Sequence, residues 1–477
     1  MKNFIEKLKK SVLLERTTTI LFMAALIALF IGLTLWINSL NLDPIDLTTG
    51  KLYTLTEISK EKVKDVDQEV DIYFVGYLDD SPILDLAKQY HNVNEKINVE
   101  TVIANERQDL VQKYGIDENT VVVIVESEGK SKILQESDFY TYNPETYEQI
   151  DLTEERLTNA VLFVNSDKVP VVLFLEGYSS FSINQNMNFL AAYLKNEVTE
   201  YFTLNLINEG TVPETCDTLV ITTPEIDFDD IATNAIIDYI NRGGNILWFN
   251  SVVATNQDFP NVNRVLATYG VKPFEVGYIN ETDVSKMMKD APYVILPTIN
   301  SSDITKNVGS VLMLNATKLN FVTDEELENL NVTKTNLLQT SQGAFFRTNF
   351  TAVNQGRQEG EAEGSFIVGA LLDKKIDEEK NSKLVIYGEN IFITDYTLSQ
   401  SSSQPMLGYA YNKDLAIDSI LYLINRQEDI VIRKDVDTTN YTATVEQNNV
   451  IQLIIFGVPV VIIVLGIVVW QVRRRKK

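Results

Sequence analysis

Residues 450–470 form an apolar run broken only by Gln452 and free of charge. As a helix rising ~1.5 Å per residue, a run of this length matches a hydrocarbon core of ~30 Å. Helices inside soluble cores rarely run so far without one polar face, so the pattern predicts a membrane span. Arg473, Arg474, Arg475, Lys476 and Lys477 follow at once. A basic cluster beside a span is held on the cytoplasmic side. Pro459 and Gly466 fit this reading, because lipid leaves the backbone no alternative to helix.

The front of the chain mirrors the back. In residues 1–19, Phe4, Ile5, Leu8 and Val12 recur at helical spacing among Lys2, Lys7, Lys9 and Lys10. That spacing reads as a basic amphipathic segment on the inner leaflet. Residues 20–37 are then apolar apart from Thr34, and predict a first span. A cleaved signal peptide is the competing reading. The apolar stretch is long for one, and residues 36–40 lack an A-x-A-like cleavage site. The expected topology is a pair of spans in the cell membrane, with both termini cytoplasmic and residues 38–449 extracytoplasmic. Trp36, Trp470, Arg473, Arg474 and Arg475 are the expected membrane anchors. Ala24, Ala28 and Gly32 make a small-xxx-small stripe, a candidate helix-packing face that competes with plain lipid exposure.

The totals restrict the rest. At 477 residues more than one domain is expected, and a mean hydropathy of -0.05 excludes a multi-span channel. The net charge is -25. With basic residues gathered at both ends, the middle is strongly acidic. Such a body repels nucleic acid, which is excluded as a partner, and repels anionic lipid heads. Membrane lipid is expected to meet the spans alone. Cys216 is the single cysteine, so no intramolecular disulfide forms and the core alone must hold the fold.

Local signals order the middle. Thr56 is placed to cap a helix starting at Glu57. Strands are expected at 69–75, 97–104 and 120–125, with helices at 82–93 and 107–114, the latter stopped by Gly115. This predicts a small α/β domain over residues 38–150. A helix at 153–164 leads to the clearest strand, 169–175. Further strands are expected at 200–207, 218–222 and 245–249, with helices at 187–196 and from Asp229 or Asp230 to Asn241. Alternation at this spacing predicts a doubly wound parallel sheet over 151–270. Residues 271–435 read as a strand-rich continuation, with a polar loop at 356–364, a strand at 384–387, an amphipathic helix at 413–425 and a last strand at 430–433. A polar linker, 436–449, precedes the second span, and 471–477 form the basic tail.

Four stretches carry a resemblance to the GldG-like auxiliary components of gliding-motility-type ABC transport systems. One is Asp46-Leu47-Thr48 with Leu52-Tyr53-Thr54-Leu55-Thr56 and Val70-Asp71-Ile72. Another is Glu155-Arg156-Leu157-Thr158-Asn159-Ala160. A third runs from Pro213 through 217–224 to Tyr239-Ile240-Asn241-Arg242-Gly243-Gly244-Asn245-Ile246-Leu247. The last is Leu384-Val385-Ile386-Tyr387-Gly388-Glu389-Asn390-Ile391-Phe392. The resemblance implies a non-catalytic auxiliary subunit, partnered by an ABC permease and a separate ATPase. It also implies a glutamine-amidotransferase-like sheet. Where the family often shows Gly-His-Gly-Glu, this chain reads Glu176-Gly177-Tyr178-Ser179, so no role for that histidine carries over.

Chemistry is scarce in the residues themselves. His91 and Cys216 fall in different expected domains, so a nucleophile–base couple is not expected. No G-x-x-x-x-G-K-[ST] loop occurs, so a motor must be another polypeptide. Zinc would need Cys or His clusters. Asp227, Asp229 and Asp230 read as helix-capping residues, with Ca²⁺ as the lesser alternative. Gly243 and Gly244 read as a helix stop, since phosphate prefers helix N-termini. No cofactor, metal or catalytic residue is therefore expected. The expected function is binding by an auxiliary transport subunit. Its alternatives are a stand-alone envelope receptor and an enzyme with an unrecognised carboxylate site.

Overall fold

The computed structural model describes residues 54–426 except 80, 118, 143–148, 252–257, 290, 352–355 and 400–403, together with Ala28, Ile31, Gly32 and Leu35. The chain divides into two compact units, Met1–Lys51 and Leu52–Lys477. In the first, the four described residues are helical and exposed. All that follows concerns the second.

Strands β1 (Val70–Val75), β2 (Ile97–Val102), β3 (Val122–Ser127) and β4 (Lys130–Gln135) build a first sheet in the order β2-β1-β3-β4. β1 and β2 are parallel, with Val70 opposite Ile97, and β3 and β4 run antiparallel. Glu128 (φ 44°) and Gly129 (φ 87°) make the tight turn between β3 and β4, two left-handed residues whose twist suits a hairpin. A small hairpin follows, β5 (Tyr140–Tyr142) with β6 (Gln149–Asp151). Ile72, Phe74, Val123 and Val125 face one core with Leu86 and Tyr90 of α2 (Pro82–Val93), which lies in sequence after α1 (Glu57–Lys64). Tyr73, Val75, Val122 and Ile124 face the other, with Leu110 of α3 (Gln108–Tyr114). This is the period-2 alternation of a strand covered on both faces.

Helix α4 (Thr153–Asn165) packs Leu157, Val161 and Val164 into the first of those cores. It also buries Glu154, Glu155, Arg156, Thr158 and Asn159. A helix buried on nearly every side must pair its polar groups. Glu154 Oε1 accepts from the Thr56 amide (2.6 Å) and hydroxyl (2.7 Å). Arg156 Nη1 lies 3.1 Å from Glu197 Oε1 and 3.2 Å from Glu155 Oε1. Asn159 donates to Glu197 Oε2 (3.1 Å), and Lys132 Nζ donates to the Lys195 and Glu197 carbonyls. Glu197 lies just ahead of the strand Glu200–Leu204 of a second sheet, so polar groups from both sheets meet here away from water.

The second sheet uses β7 (Val171–Leu175), β8 (Glu200–Leu204), β9 (Cys216–Ile221) and β10 (Asn245–Phe249). Between them and its last strands come β11 (Tyr278–Asn280), β12 (Met287–Met288), β13 (Ala291–Ile295), β14 (Thr298–Ile299) and β15 (Met313–Leu314). Then follow β16 (Val332–Gln339), β17 (Phe345–Arg347), β18 (Ile367–Lys375) and β19 (Asn381–Tyr387). The eight-stranded order is β14-β16-β18-β19-β10-β9-β7-β8. Strands β8, β7, β9, β10 and β19 are parallel neighbours. Side chains alternate along them. Phe174, Leu247, Phe249 and Val385 meet α5 (Asn188–Lys195) and α10 (Asn412–Leu423) on one face. Leu173, Leu219, Trp248 and Ile386 meet α7 (Asp230–Asn241) and α8 (Pro260–Ala267) on the other, α6 (Leu206–Glu209) and α9 (Asp324–Asn329) being shorter.

Two expectations need correction. The sheet is mixed, because β18, β16 and β14 join antiparallel. The turn from β18 to β19, closed by the Ile376 amide on the Lys380 carbonyl (2.9 Å), folds a hairpin where a crossover would be needed to stay parallel. The expected pair of membrane spans is also overturned. Among the described residues no helix is long and apolar enough to cross a membrane. The longest, α4, has 13 residues, ~20 Å against a ~30 Å core, and it carries three charges. The bitopic topology with both termini cytoplasmic falls with the spans. Residues 450–470, the expected strand 430–433 and most of 20–37 lie outside the described residues.

Candidate functional site

In open α/β sheets, ligands sit beyond the carboxyl ends of parallel strands, where the winding direction reverses. Here β8 lies on one side of β7 and β9 on the other, so the reversal falls between β7 and β9. The loops that leave these strands are stitched together. The Glu225 amide donates to the Tyr178 carbonyl (2.8 Å), Ser180 Oγ donates to Glu225 Oε1 (2.5 Å) and Thr222 Oγ1 to the Phe181 carbonyl (3.4 Å). Ser182 Oγ donates to Glu176 Oε1 (2.6 Å). Gly177, at φ 95°, lets the chain leave β7 in a left-handed conformation. Tyr178 turns inward against Phe228, and its hydroxyl donates to Asp229 Oδ2 (3.0 Å). Burial, with Asp229 beside it, raises that hydroxyl's pKa.

The start of α5 opens on the same edge, but a carboxylate of the protein already fills it. Asp395 accepts from the Asn188 amide (2.8 Å) and the Phe189 amide (3.1 Å), so the helix dipole is satisfied internally. The exit of β19 is more unusual. A Cβ on Gly388 would collide with the Thr317 carbonyl oxygen, so the backbone passes close. Glu389 is fully buried; its oxygens accept from the Ile391 (2.6 Å) and Phe392 (2.8 Å) amides. Burial pushes its carboxyl up to about 8 against those two donors. Asn390 is equally buried, and neither end of its amide finds a partner among the described residues. The Asn250 side-chain Nδ2, at the exit of β10, and Thr317 Oγ1 likewise find no partner among the described residues. Such atoms cost free energy unless a polar guest satisfies them.

The residues singled out in the sequence scatter. Cys216 opens β9 at the opposite, amino edge; burial lifts its thiol to about 11. His91 sits on α2, with Nδ1 2.8 Å from the Ile97 carbonyl. Asp229 caps α7 through the Ala232 amide (2.8 Å). Asp227 instead caps α8, accepting from Asn261 (3.1 Å) and Val262 (3.0 Å) amides. Gly243 and Gly244 close α7, their amides donating to Ile240 and Tyr239 carbonyls. Ala28 and Gly32 are helical and exposed; Ala24, Trp36, Trp470, Arg473, Arg474 and Arg475 lie outside the described residues. Among the described residues no three His, Cys, Asp or Glu side chains are placed to hold a metal ion.

The four stretches behind the resemblance meet in pairs. Thr56 of the first binds Glu154 at the threshold of the second, 98 positions on. The third supplies β9 and β10, and the fourth supplies β19 beside them. A family model described as an ABC-type uncharacterized transport system matches residues 169–419. That stretch exceeds half of the chain. The protein belongs to this family. The ABC-type transport match takes in the whole second sheet and its carboxyl edge, and supports an auxiliary role in an ABC system. Among curated proteins nothing matches. Solved structures that are similar include the mmIFT52 N-terminal domain, with 14% identity, 53% of this chain, 96% of that chain and a TM-score of 0.37. A putative ThuA-like protein from Bacteroides uniformis follows, with 12% identity, 54% and 93% coverage and a TM-score of 0.33. The cytoplasmic protein STM3548 from Salmonella typhimurium has 11% identity, 53% and 98% coverage and a TM-score of 0.32. None of the three bears on what this family member binds.

Sequence reading missed Glu389 and Asn390 as a site. They stood inside a quoted stretch, yet only the crossing of β10, β19 and the Thr317 segment buries them.

Proposed function

We propose that this protein is a non-catalytic auxiliary subunit of an ABC transport system, partnered by a permease and a separate ATPase, and that the carboxyl edge of its second sheet is the docking face. The family match over residues 169–419 carries the reading. The chemistry of the edge supports it. Ser180, Ser182, Thr222, Glu176 and Glu225 offer hydrogen bonds, and the chain's only histidine and only cysteine lie elsewhere. Glu389 has both oxygens engaged by backbone amides, which suits a structural carboxylate better than a general acid or base. Apolar side chains also crowd this edge. Phe189 is 48% exposed, and Ile226, Ile231 and Tyr396 are each 54% exposed. All four lie on loops or helix starts that follow parallel strands, and exposed apolar groups gathered in one place mark contact surfaces.

The test is affinity purification of the tagged full chain from its own cells in mild detergent. A permease and an ATPase subunit should co-purify, and the pairing should weaken at least tenfold for Ile226→Glu combined with Tyr396→Ser. A chain recovered alone under several detergents would overturn the proposal in favour of a free-standing receptor.

A further inference from the structure

A cavity of about 340 Å³ opens beside the first sheet, well outside the family match. Its floor is apolar: Ile83 and Leu86 of α2, Phe139, and the ring of Tyr77. Tyr77 is held edge-on by Phe74, with ring centroids 5.3 Å apart. The rim is polar, and its charged groups among the described residues are both acidic. Ser81, Glu136, Gln149, Asp151 and Thr153 all present oxygen atoms, and no Lys, Arg or His belongs to the lining among the described residues. The Tyr77 hydroxyl is buried and finds no partner among the described residues. Burial and the neighbouring Glu136 charge lift its pKa to about 12, so it stays protonated.

Glu136 and Asp151 only accept when ionised, while Ser81, Gln149, Thr153 and the Tyr77 hydroxyl can either accept or donate, so the two carboxylates favour a guest that brings donors. Both acids are exposed to water, but with no Lys, Arg or His in the lining among the described residues a positively charged guest is favoured over a neutral or anionic one. Two carboxylates without histidine or a third acid make a poor divalent-metal site. An aromatic and aliphatic floor suits an alkyl stem, and an ammonium beside tyrosine rings gains from the ring quadrupole. We propose that this cavity binds a primary alkylammonium group, with its stem on Ile83, Leu86 and Phe139 and its charge between Glu136 and Asp151. The group can come from a free amine or from a lysine side chain of a partner. The proposal does not depend on the docking face above.

The test is calorimetric titration of the full chain at low salt with cadaverine and, separately, with Nα-acetyl-lysine amide, using xylitol as the neutral donor-rich control. Either amine should bind saturably, and tighter binding of the lysine derivative assigns the source to a protein segment. Affinity should fall at least tenfold in Glu136→Gln combined with Asp151→Asn, and severalfold on raising salt with the wild-type chain. Both carboxylates are exposed, and asparagine keeps the oxygen that accepts from the Thr153 amide (2.7 Å). Circular dichroism will verify that the variant is folded, and the salt series needs no variant. Failure of both amines to bind, equal binding of xylitol, or amine binding unchanged in the double variant would overturn it.

Discussion

Arg156 shows what one side chain can decide. It is 3% exposed and lies against Glu155 and Glu197, with its Nε donating to the Asp138 carbonyl (3.3 Å). Removing one partner of a buried pair leaves the other charge without compensation, at a cost of ~3–5 kcal/mol. Arg156→Met should therefore lower the unfolding free energy read from urea titration by that much, and Glu197→Gln added to it should restore part of the loss. Additive losses would show that the pair contributes nothing as a pair. Glu389 makes a prediction in pH. In the unfolded chain its carboxyl ionises near ~4.3; in the fold it does so at about 8. Between those values the folded protein keeps a proton that the unfolded chain has released. The associated stability is complete below the lower value and is lost as pH rises through the upper one. Glu389→Gln should flatten the fall in melting temperature across that window. An unchanged slope would mean the carboxyl is ionised in the fold.

At the level of elements, Asp227 separates two readings of an acidic run. Both its oxygens end on amides at the start of α8. Asp227→Ala should cost ~1–2 kcal/mol, as a lost cap does, and calcium should not raise the melting temperature of the wild-type chain. Gly388 is a second case. Any side chain there meets the Thr317 carbonyl, so Gly388→Ala should destabilise more than Gly210→Ala, whose Cβ would meet open space. Both effects can be read from denaturant unfolding. Elements of this kind were partly legible. The strands expected at 169–175 and 245–249, found at Val171–Leu175 and Asn245–Phe249, the Thr56 cap and the glycine stop after α7 all follow from local chemistry, and all stand. The β3–β4 hairpin was missed, although Glu128-Gly129 offered its turn signal. The antiparallel half of the second sheet was not legible, because β14, β16 and β18, spread from Thr298 to Lys375, are brought together by pairing alone. Asp227 capping a helix 33 positions away is illegible for the same reason: the sequence shows the acid but not its distant amides.

At the scale of the whole molecule, the two sheets share one polar junction. Glu154 ties α4 to Thr56, while Glu197 and the Lys195 carbonyl tie the second sheet to Arg156, Asn159 and Lys132. Full-length protein should therefore unfold in a single transition seen alike by far-ultraviolet and tryptophan signals, Trp248 reporting from the second sheet. Arg156→Met with Lys132→Met should separate the two signals. Coincident transitions in that variant would place the coupling elsewhere, in the apolar contacts of Val198 with the first core.

The burial of α4 has a practical corollary for anyone who dissects this chain. The family match begins at residue 169, which invites a cut just ahead of β7. Such a cut strands the Glu197 carboxylate on one fragment and its guanidinium and amide partners, Arg156 and Asn159, on the other. The half most easily recognised is then the half least fit to live alone, and a fragment meant for crystals or binding assays should start no later than Thr54.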